Sequence, residues 1–484
     1  VKRGFLVTAL LLSGCSMAPH YSRPSATLPS SFKEEPGWRE AAPADAVAKG
    51  QWWLLFGDPV LNELEARVAI SNQNVAAAAA AYRQARATVR EARSALFPQV
   101  DLSTSGTRAG SFGSGTATII NTGSSGSSVQ SSSGSGSRRY TASIGATWEP
   151  DLWGQLGSGV RQQKALAQAT LGDLNNATLS AQGELALDYV QLRGLEAQKA
   201  ILDATIAAYD KNLTITNNRY KAGVVAKVDV LQAQTQLTSA RANGADLERQ
   251  RAAFEHAIAV LVGENPSTFA LPAGSWNRAV PDVPGVLPAA LLERRPDVAA
   301  AERRVAAANQ AIGIQRAAFF PTITLTGSVG TNGSAVSDLF DIGESIWSLG
   351  LRGALTLLDF GGRSARVAQA RAAYEQAAAT YRQTVLTAFQ QVEDGLAASR
   401  ILGFVGDQRV AAASAANQVE ALTQNQYLAG QIAYSDVIVA QTTALSARQA
   451  EVQALVDRQT AAVSLIQAIG GSWTQSGIDE RNPK

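Results

Sequence analysis

Few side chains in this sequence are placed to do chemistry, and the most telling is the single cysteine. Cys15 follows a basic start (Lys2, Arg3), a short apolar run from Phe5 to Leu12, and the small pair Ser13-Gly14. That order is the signature of a signal peptide cut just before a cysteine whose sulfur then carries lipid. One cysteine excludes an intrachain disulfide. The two histidines, His20 and His256, each lack a second His or Cys at ligand spacing, so no metal site is expected. Glu149 and Asp151 are close enough in sequence for an acid/base pair, but a water-facing strand-to-helix junction explains them better. No nucleophile–base constellation is present, which leaves a hydrolase without machinery. No cofactor is expected beyond the covalent lipid on Cys15.

What elements would carry these residues? Over 484 residues the net charge is only +2, with no basic stripe, so nucleic acid is not an expected partner. Aromatics make up 6%, and Ala, Gln, Ser and Gly dominate, which suits thin walls of small side chains better than a thick globular core. The run at Phe5–Leu12 is too short to cross a bilayer as a helix, and no longer apolar run occurs elsewhere. A membrane crossing would therefore require a closed β-barrel.

The chain is an internal duplication. Asn218-Arg219-Tyr220-Lys221-Ala222-Gly223 returns as Asn425-Gln426-Tyr427-Leu428-Ala429-Gly430, and the same offset joins Asp229-Val230 to Asp436-Val437 and Gly263 to Gly470. Leu96-Phe97-Pro98 matches Phe319-Phe320-Pro321 at a larger offset, because the first half holds a Ser/Gly tract from Ser103 to Ser137, read as a flexible surface loop. The organisation expected is a signal peptide at 1–14, a lipidated leader at 15–57, a first repeat at 58–263, a Pro-rich connector at 264–288, a second repeat at 289–470 and a tail at 471–484. Each repeat reads as helix, two strands, a very long helix, a tight turn and a return helix.

The strand segments alternate. Tyr140, Ala142, Ile144, Ala146 and Trp148 oppose Thr141, Ser143, Gly145 and Thr147. Trp347, Leu349, Leu351, Gly353, Leu355 and Leu357 oppose Ser348, Gly350, Arg352, Ala354 and Thr356. Ile323, Leu325, Gly327 and Val329 follow Pro321 in the same way, and Val100 and Leu102 alternate with Gln99, Asp101 and Ser103 after Pro98. Apolar-out and polar-in is the pattern of a membrane barrel, which makes Arg352 and Asp101 lumen-facing. A half-buried sheet on a soluble protein alternates likewise. Four strands are too few to close a barrel, so copies of the chain must complete it. The helical pattern then runs without proline from about Gly157 to Lys221 and from Arg363 to Leu428, and each run turns back at Gly223 or Gly430.

Several motifs in this order resemble the outer membrane factor (TolC-like) family, in its NodT-like lipoprotein branch. They are Trp52-Trp53-x-x-Phe56-x-Asp58-x-x-Leu61; Arg294-Arg295-Pro296-Asp297-Val298 with Ala301-Glu302; Phe320-Pro321; Leu358-Asp359-Phe360-Gly361-Gly362; and the duplicated turn motif at Tyr220 and Tyr427. The match runs from Cys15 to about Trp473, and Ser16 after the cysteine fits the sorting pattern of outer-membrane lipoproteins. The resemblance implies a homotrimer with a twelve-stranded β-barrel in the outer membrane of a Gram-negative bacterium, anchored by lipid, and an all-α barrel of helical hairpins in the periplasm. It implies a passive efflux channel for small molecules such as drugs, not an enzyme. A periplasmic adaptor would dock at the turns around Gly223 and Gly430, and an inner-membrane pump would supply energy. It also implies a gate at those turns, with Asp436 on an acidic ring and a bond between Tyr427 and Asp229. Val439 stands where a second acidic ring would be, and Ile432 where an arginine often holds the gate. The residues themselves also allow Asp229 and Asp436 to cap their helices, and Tyr427 to pack between helices. An elongated periplasmic adaptor without a pore is the competing function. It explains the helices and the anchor but not four amphipathic strands.

Overall fold

The computed structural model describes residues 17–25, 32–34, 51–109, 117–120, 129–132, 137–281, 283, 295–341, 343 and 345–471. The signal peptide, Cys15, most of the leader and residues 472–484 lie outside the described residues, as does 284–294.

A 3-10 turn at Trp52–Phe56 precedes helices α1 (Pro59–Ser71) and α2 (Gln73–Ser94). Strands β1 (Gln99–Ala109), β2 (Ala117–Ile120), β3 (Val129–Ser132) and β4 (Ser137–Trp148) follow, then helices α3 (Gln155–Lys221) and α4 (Lys227–Leu261). The second half comprises α5 (Pro296–Ala317), β5 (Thr322–Gly333), β6 (Ser345–Ala354), α6 (Gly362–Leu428) and α7 (Tyr434–Ala468). The duplication extends to length. Helices α3 and α6 have 67 residues each, about 100 Å of helix at ~1.5 Å per residue. Their return helices have 35 each. Among the described residues no helix is long and apolar enough to cross a membrane.

Two expectations need correction. The Ser/Gly tract is not simply a loop: β1 continues through it to Ala109, and β2 pairs with β3 inside it. Ser and Thr keep enough β-propensity to extend a ladder once a neighbour supplies hydrogen bonds. The last strand ends at Ala354, so Leu355 and Leu357 fall beyond it. There the chain turns into α6, with Asp359 accepting from Gly361 N and Arg363 N at 3.3 and 2.8 Å.

The chain forms two compact units. The first contains Ala85–Ala167 and Val305–Ala377 with the start of the leader, and the second contains Arg23–Gln84, Gln168–Arg304 and Ala378–Lys484. The first unit is built on an antiparallel sheet of order β1-β4-β5-β6. Its central pair, β4 with β5, joins one repeat to the other. The second unit holds a core of Trp52, Trp53, Phe56, Leu61, Val68, Leu185, Tyr189, Ile258, Val463 and Ile466. Asp58 ties the Trp-Trp motif into it: Oδ1 caps α1 through Val60 N and Leu61 N, and Oδ2 accepts the Tyr189 hydroxyl at 2.7 Å.

The apolar face of α1 also buries Glu65, which is fully inaccessible, with no hydrogen-bond partner for either oxygen among the described residues. Burial pushes its carboxyl well above the ordinary carboxylate value of 4.5. The folded chain then holds a proton that the unfolded chain releases above that value, so stability falls as pH rises from there towards the folded pKa. Glu65→Gln should remove this decline and make the variant relatively more stable at pH 8 than at pH 4.5. Thermal unfolding across that range checks the sign.

Candidate functional site

Two regions carry the expected functional residues, one in each unit. In the first, the strand register decides whether the alternation forms a continuous surface. Val100 faces Ala146 and Leu102 faces Ile144; Ile144 then faces Val329, and Val329 faces Trp347. Leu325 lies between Trp148 and Leu351, and Gly327 between Ala146 and Leu349. Opposed residues share a face, so the apolar positions of all four strands form one surface. It is open to its surroundings: Leu102, Leu349 and Leu351 are each more than 70% exposed, and Trp347 is 80% exposed.

The other face is polar across the same four strands. Asp101, Gly145, Ser328 and Ser348 form one row. Hydroxyl pairs link neighbouring strands at Ser103–Ser143 (2.8 Å), Ser105–Thr141 (2.7 Å) and Ser328–Ser348 (2.8 Å). Asp101 and Arg352 both lie on this face and are exposed, with Asp101 accepting from Gln99 Nε2 and Arg352 opposite Thr324. Ile346 is a large apolar intrusion on it. The two edges, β1 and β6, pair with no other strand among the described residues. At the helix end of the sheet, Trp148 Nε1 donates to Leu96 O, and Trp153 stacks on Phe320 at 4.8 Å. Asp151 accepts from Leu156 N and Gly157 N, so it caps α3, as a junction residue would.

In the second unit, the turns after α3 and α6 are copies. Gly223 and Gly430 have φ of 75° and 76°. Val224 N bonds Arg219 O, and Gly223 N bonds Tyr220 O; Gln431 N to Gln426 O and Gly430 N to Tyr427 O repeat them. Both are Schellman ends, which need the left-handed glycine. Asp229 and Asp436 sit in the first turns of α4 and α7, where their charge suits the helix dipole. The capping expectation is corrected, because the N-caps are Ala226 and Ala433, with no side-chain cap bond. Asp436 is exposed and Asp229 half-buried.

The Tyr427–Asp229 bond is corrected too. Tyr427 is buried in a small cluster with Ala233, Tyr434 and Val437, and its hydroxyl has no partner among the described residues. Ile432 packs against that cluster. The contact that holds the ring comes from Arg219, whose guanidinium lies 4.8 Å above it and whose Nη1 reaches Tyr427 O at 3.4 Å. Arg219 belongs to the last turn of α3, while the last turn of α6 has no basic residue of its own. One guanidinium therefore lies at the C-terminal ends of both long helices. Tyr434 lies tilted against Tyr427, with ring centroids 5.3 Å apart, and burial, with smaller contributions from Tyr427, Tyr209 and Asp229, pushes its phenol up to about 12.

Sequence reasoning also missed a pair of helix clamps. Asn72 Nδ2 donates to Leu261 O at the end of α4, and Arg295 Nη1 to Ala468 O at the end of α7. The offset that matches Pro98 to Pro321 carries Asn72 to Arg295, and the turn offset carries Leu261 to Ala468. The two offsets relate one clamp to the other, but the bonds themselves form only on folding.

Three comparisons with known proteins agree. The sequence profile described as outer membrane efflux protein matches residues 66–264 and 287–471. The toluene efflux pump outer membrane protein TtgF of Pseudomonas putida is 31% identical, with 98% of each chain covered. Outer membrane protein OprJ of Pseudomonas aeruginosa is 29% identical over 97% of this chain and 95% of its own. The solved open state of the MtrE outer membrane channel of Neisseria gonorrhoeae is similar with a TM-score of 0.82 at 26% identity, covering 95% of this chain and 99% of that one.

Proposed function

This chain belongs to the outer membrane efflux protein family, and from that premise we propose that three copies close their four-stranded sheets into one barrel and conduct small molecules passively out of the periplasm. The observation that carries the reading is the register: the apolar positions of all four strands share one face, the hydroxyl-bearing positions share the other, and two edges are left unpaired among the described strands. An open edge in lipid leaves backbone groups without partners, which a neighbouring copy would supply. Strands of 10 to 12 residues, at ~3.4 Å per residue and ~40° tilt, cover roughly 26–31 Å, enough for an apolar band of ~25 Å.

Asp101 and Arg352 would then line the lumen, and the lipid on Cys15 would anchor the leader. The turns at Gly223 and Gly430 would meet a periplasmic adaptor, itself coupled to an inner-membrane pump that provides the energy. Asp229, Asp436 and Tyr427 would surround the periplasmic gate. The name of TtgF, a toluene efflux pump protein, supports apolar small molecules as cargo. Purified protein added to a planar bilayer should give discrete conductance steps, and its oligomer should persist in SDS until boiled. A chain that stays monomeric and never conducts would end this reading.

A further inference from the structure

The sheet carries a charge pattern that a channel wall does not need. Going from the helix end to the loop end of the apolar face, the paired rows on β1 and β4 are Val100–Ala146, Leu102–Ile144, Thr104–Ala142, Gly106–Tyr140 and finally Arg108–Arg138. Arg108 and Arg138 thus lie directly opposite each other on the same face as the leucines, one row beyond an aromatic. Both are exposed. Like charges placed directly opposite across a strand pair repel.

Among the described residues neither arginine has an ion-pair partner. The connection between the two strands, residues 110–136, contains no Asp or Glu. In the connection between β5 and β6, Asp338 accepts from Ser334 N and Ala335 N, and Asp341 from Gly343 N, and among the described residues neither forms an ion pair with Arg108 or Arg138. Two guanidinium forks at the border of an apolar band match a phosphate that lies at the same depth.

We propose that Arg108 and Arg138 clamp the phosphate of an anionic membrane-lipid headgroup, on the lipid-facing side of the sheet at the rim farthest from the helices. The clamp rests on the barrel reading, since only a membrane brings such a headgroup to this face. It also gives the repulsion a purpose: the pair is poor without lipid and favourable with it.

The protein is reconstituted in mixed phosphatidylglycerol and phosphatidylcholine vesicles, extracted in detergent, and its retained lipid counted by mass spectrometry. Phosphatidylglycerol should exceed its bulk ratio about tenfold, the worth of one charge-assisted hydrogen bond. Arg108→Gln with Arg138→Gln should return to the bulk ratio, and the double lysine variant should keep part of the preference, because an ammonium lacks the planar fork. Conductance of the glutamine variant in pure phosphatidylcholine separates the two readings: conducting protein that has lost the lipid preference supports the clamp. An unchanged preference in that variant overturns it. So does a wild type without preference, the result if acids of a neighbouring copy neutralise the pair. Displacement of the lipid by excess inorganic phosphate makes the site one for free anions and overturns the lipid assignment. Protein that inserts into neither kind of vesicle overturns the barrel reading, and the clamp falls with it.

Discussion

Arg219→Ala should raise open-channel current at low voltage, whereas Tyr427→Phe should leave it unchanged. The two outcomes separate two ways of holding the helix turns. A hydroxyl bond from Tyr427 would make phenylalanine a loss. Here that hydroxyl is buried and has no partner among the described residues, so its removal costs nothing and sheds an unsatisfied polar atom. The ring is held from above by the Arg219 guanidinium at 4.8 Å, and a phenylalanine ring serves that contact as well. Removing the cation forfeits a cation–π contact of about 0.5–2 kcal/mol. It also forfeits charge at two helix C-termini, about 0.3–1 kcal/mol each at an exposed surface. A net loss of ~1.4 kcal/mol per chain is a tenfold shift in the closed-to-open ratio, and copies acting together multiply it. Single-channel recording of Arg219→Ala, Arg219→Lys and Tyr427→Phe decides the matter. Increased current in Tyr427→Phe alone would restore the hydroxyl as the latch.

The largest stability effect should come from Arg295→Ala. Arg295 is nearly inaccessible and serves three partners: Ala468 O at 2.9 Å, Gln391 Oε1 at 2.7 Å, and both oxygens of Asp297 at 3.0 and 2.7 Å. Truncation leaves the end of α7 without its clamp and the Asp297 carboxylate, only 28% exposed, without its counter-charge. Breaking a largely buried pair from one side costs ~3–5 kcal/mol. Thermal unfolding in detergent should show a fall in the midpoint. The double variant with Asp297→Ala should lose less than the sum of the two singles, because the stranded carboxylate is gone. Strict additivity would mean the pair contributes nothing to the unit.

How much of this was readable beforehand followed the range of the forces involved. The long helices were legible because absence of proline and a closing glycine act locally, and α3 and α6 end at Lys221 and Leu428 as the pattern suggests. The strand faces were legible because alternation has a period of two. The register was not, since it depends on which residues of β4 meet β5, a choice made between repeats. The full reach of β1 through Ser103–Ala109 was hidden for a related reason. A Ser/Thr-rich strand looks like a linker until a partner ladder exists, and β4 supplies it. At the turns, the family resemblance drew attention to Asp229, Asp436 and Tyr427 and missed Arg219. Its role depends on the end of a different helix, 208 residues away in sequence. Arg295 was noticed only as part of a motif, because its acceptor at Ala468 is visible only after folding.

The matched helix lengths restrict how this chain can change in evolution. Arg219 can reach Tyr427 only while α3 and α6 stop at the same level, and each outgoing helix has 67 residues against a return of 35. A small deletion in one outgoing helix would rotate its terminus by ~100° per missing residue and withdraw it by ~1.5 Å. Size drift among descendants should therefore occur in whole turns and in concert across all four helices, while the connections between strands, which no such match constrains, remain free to grow or shrink singly.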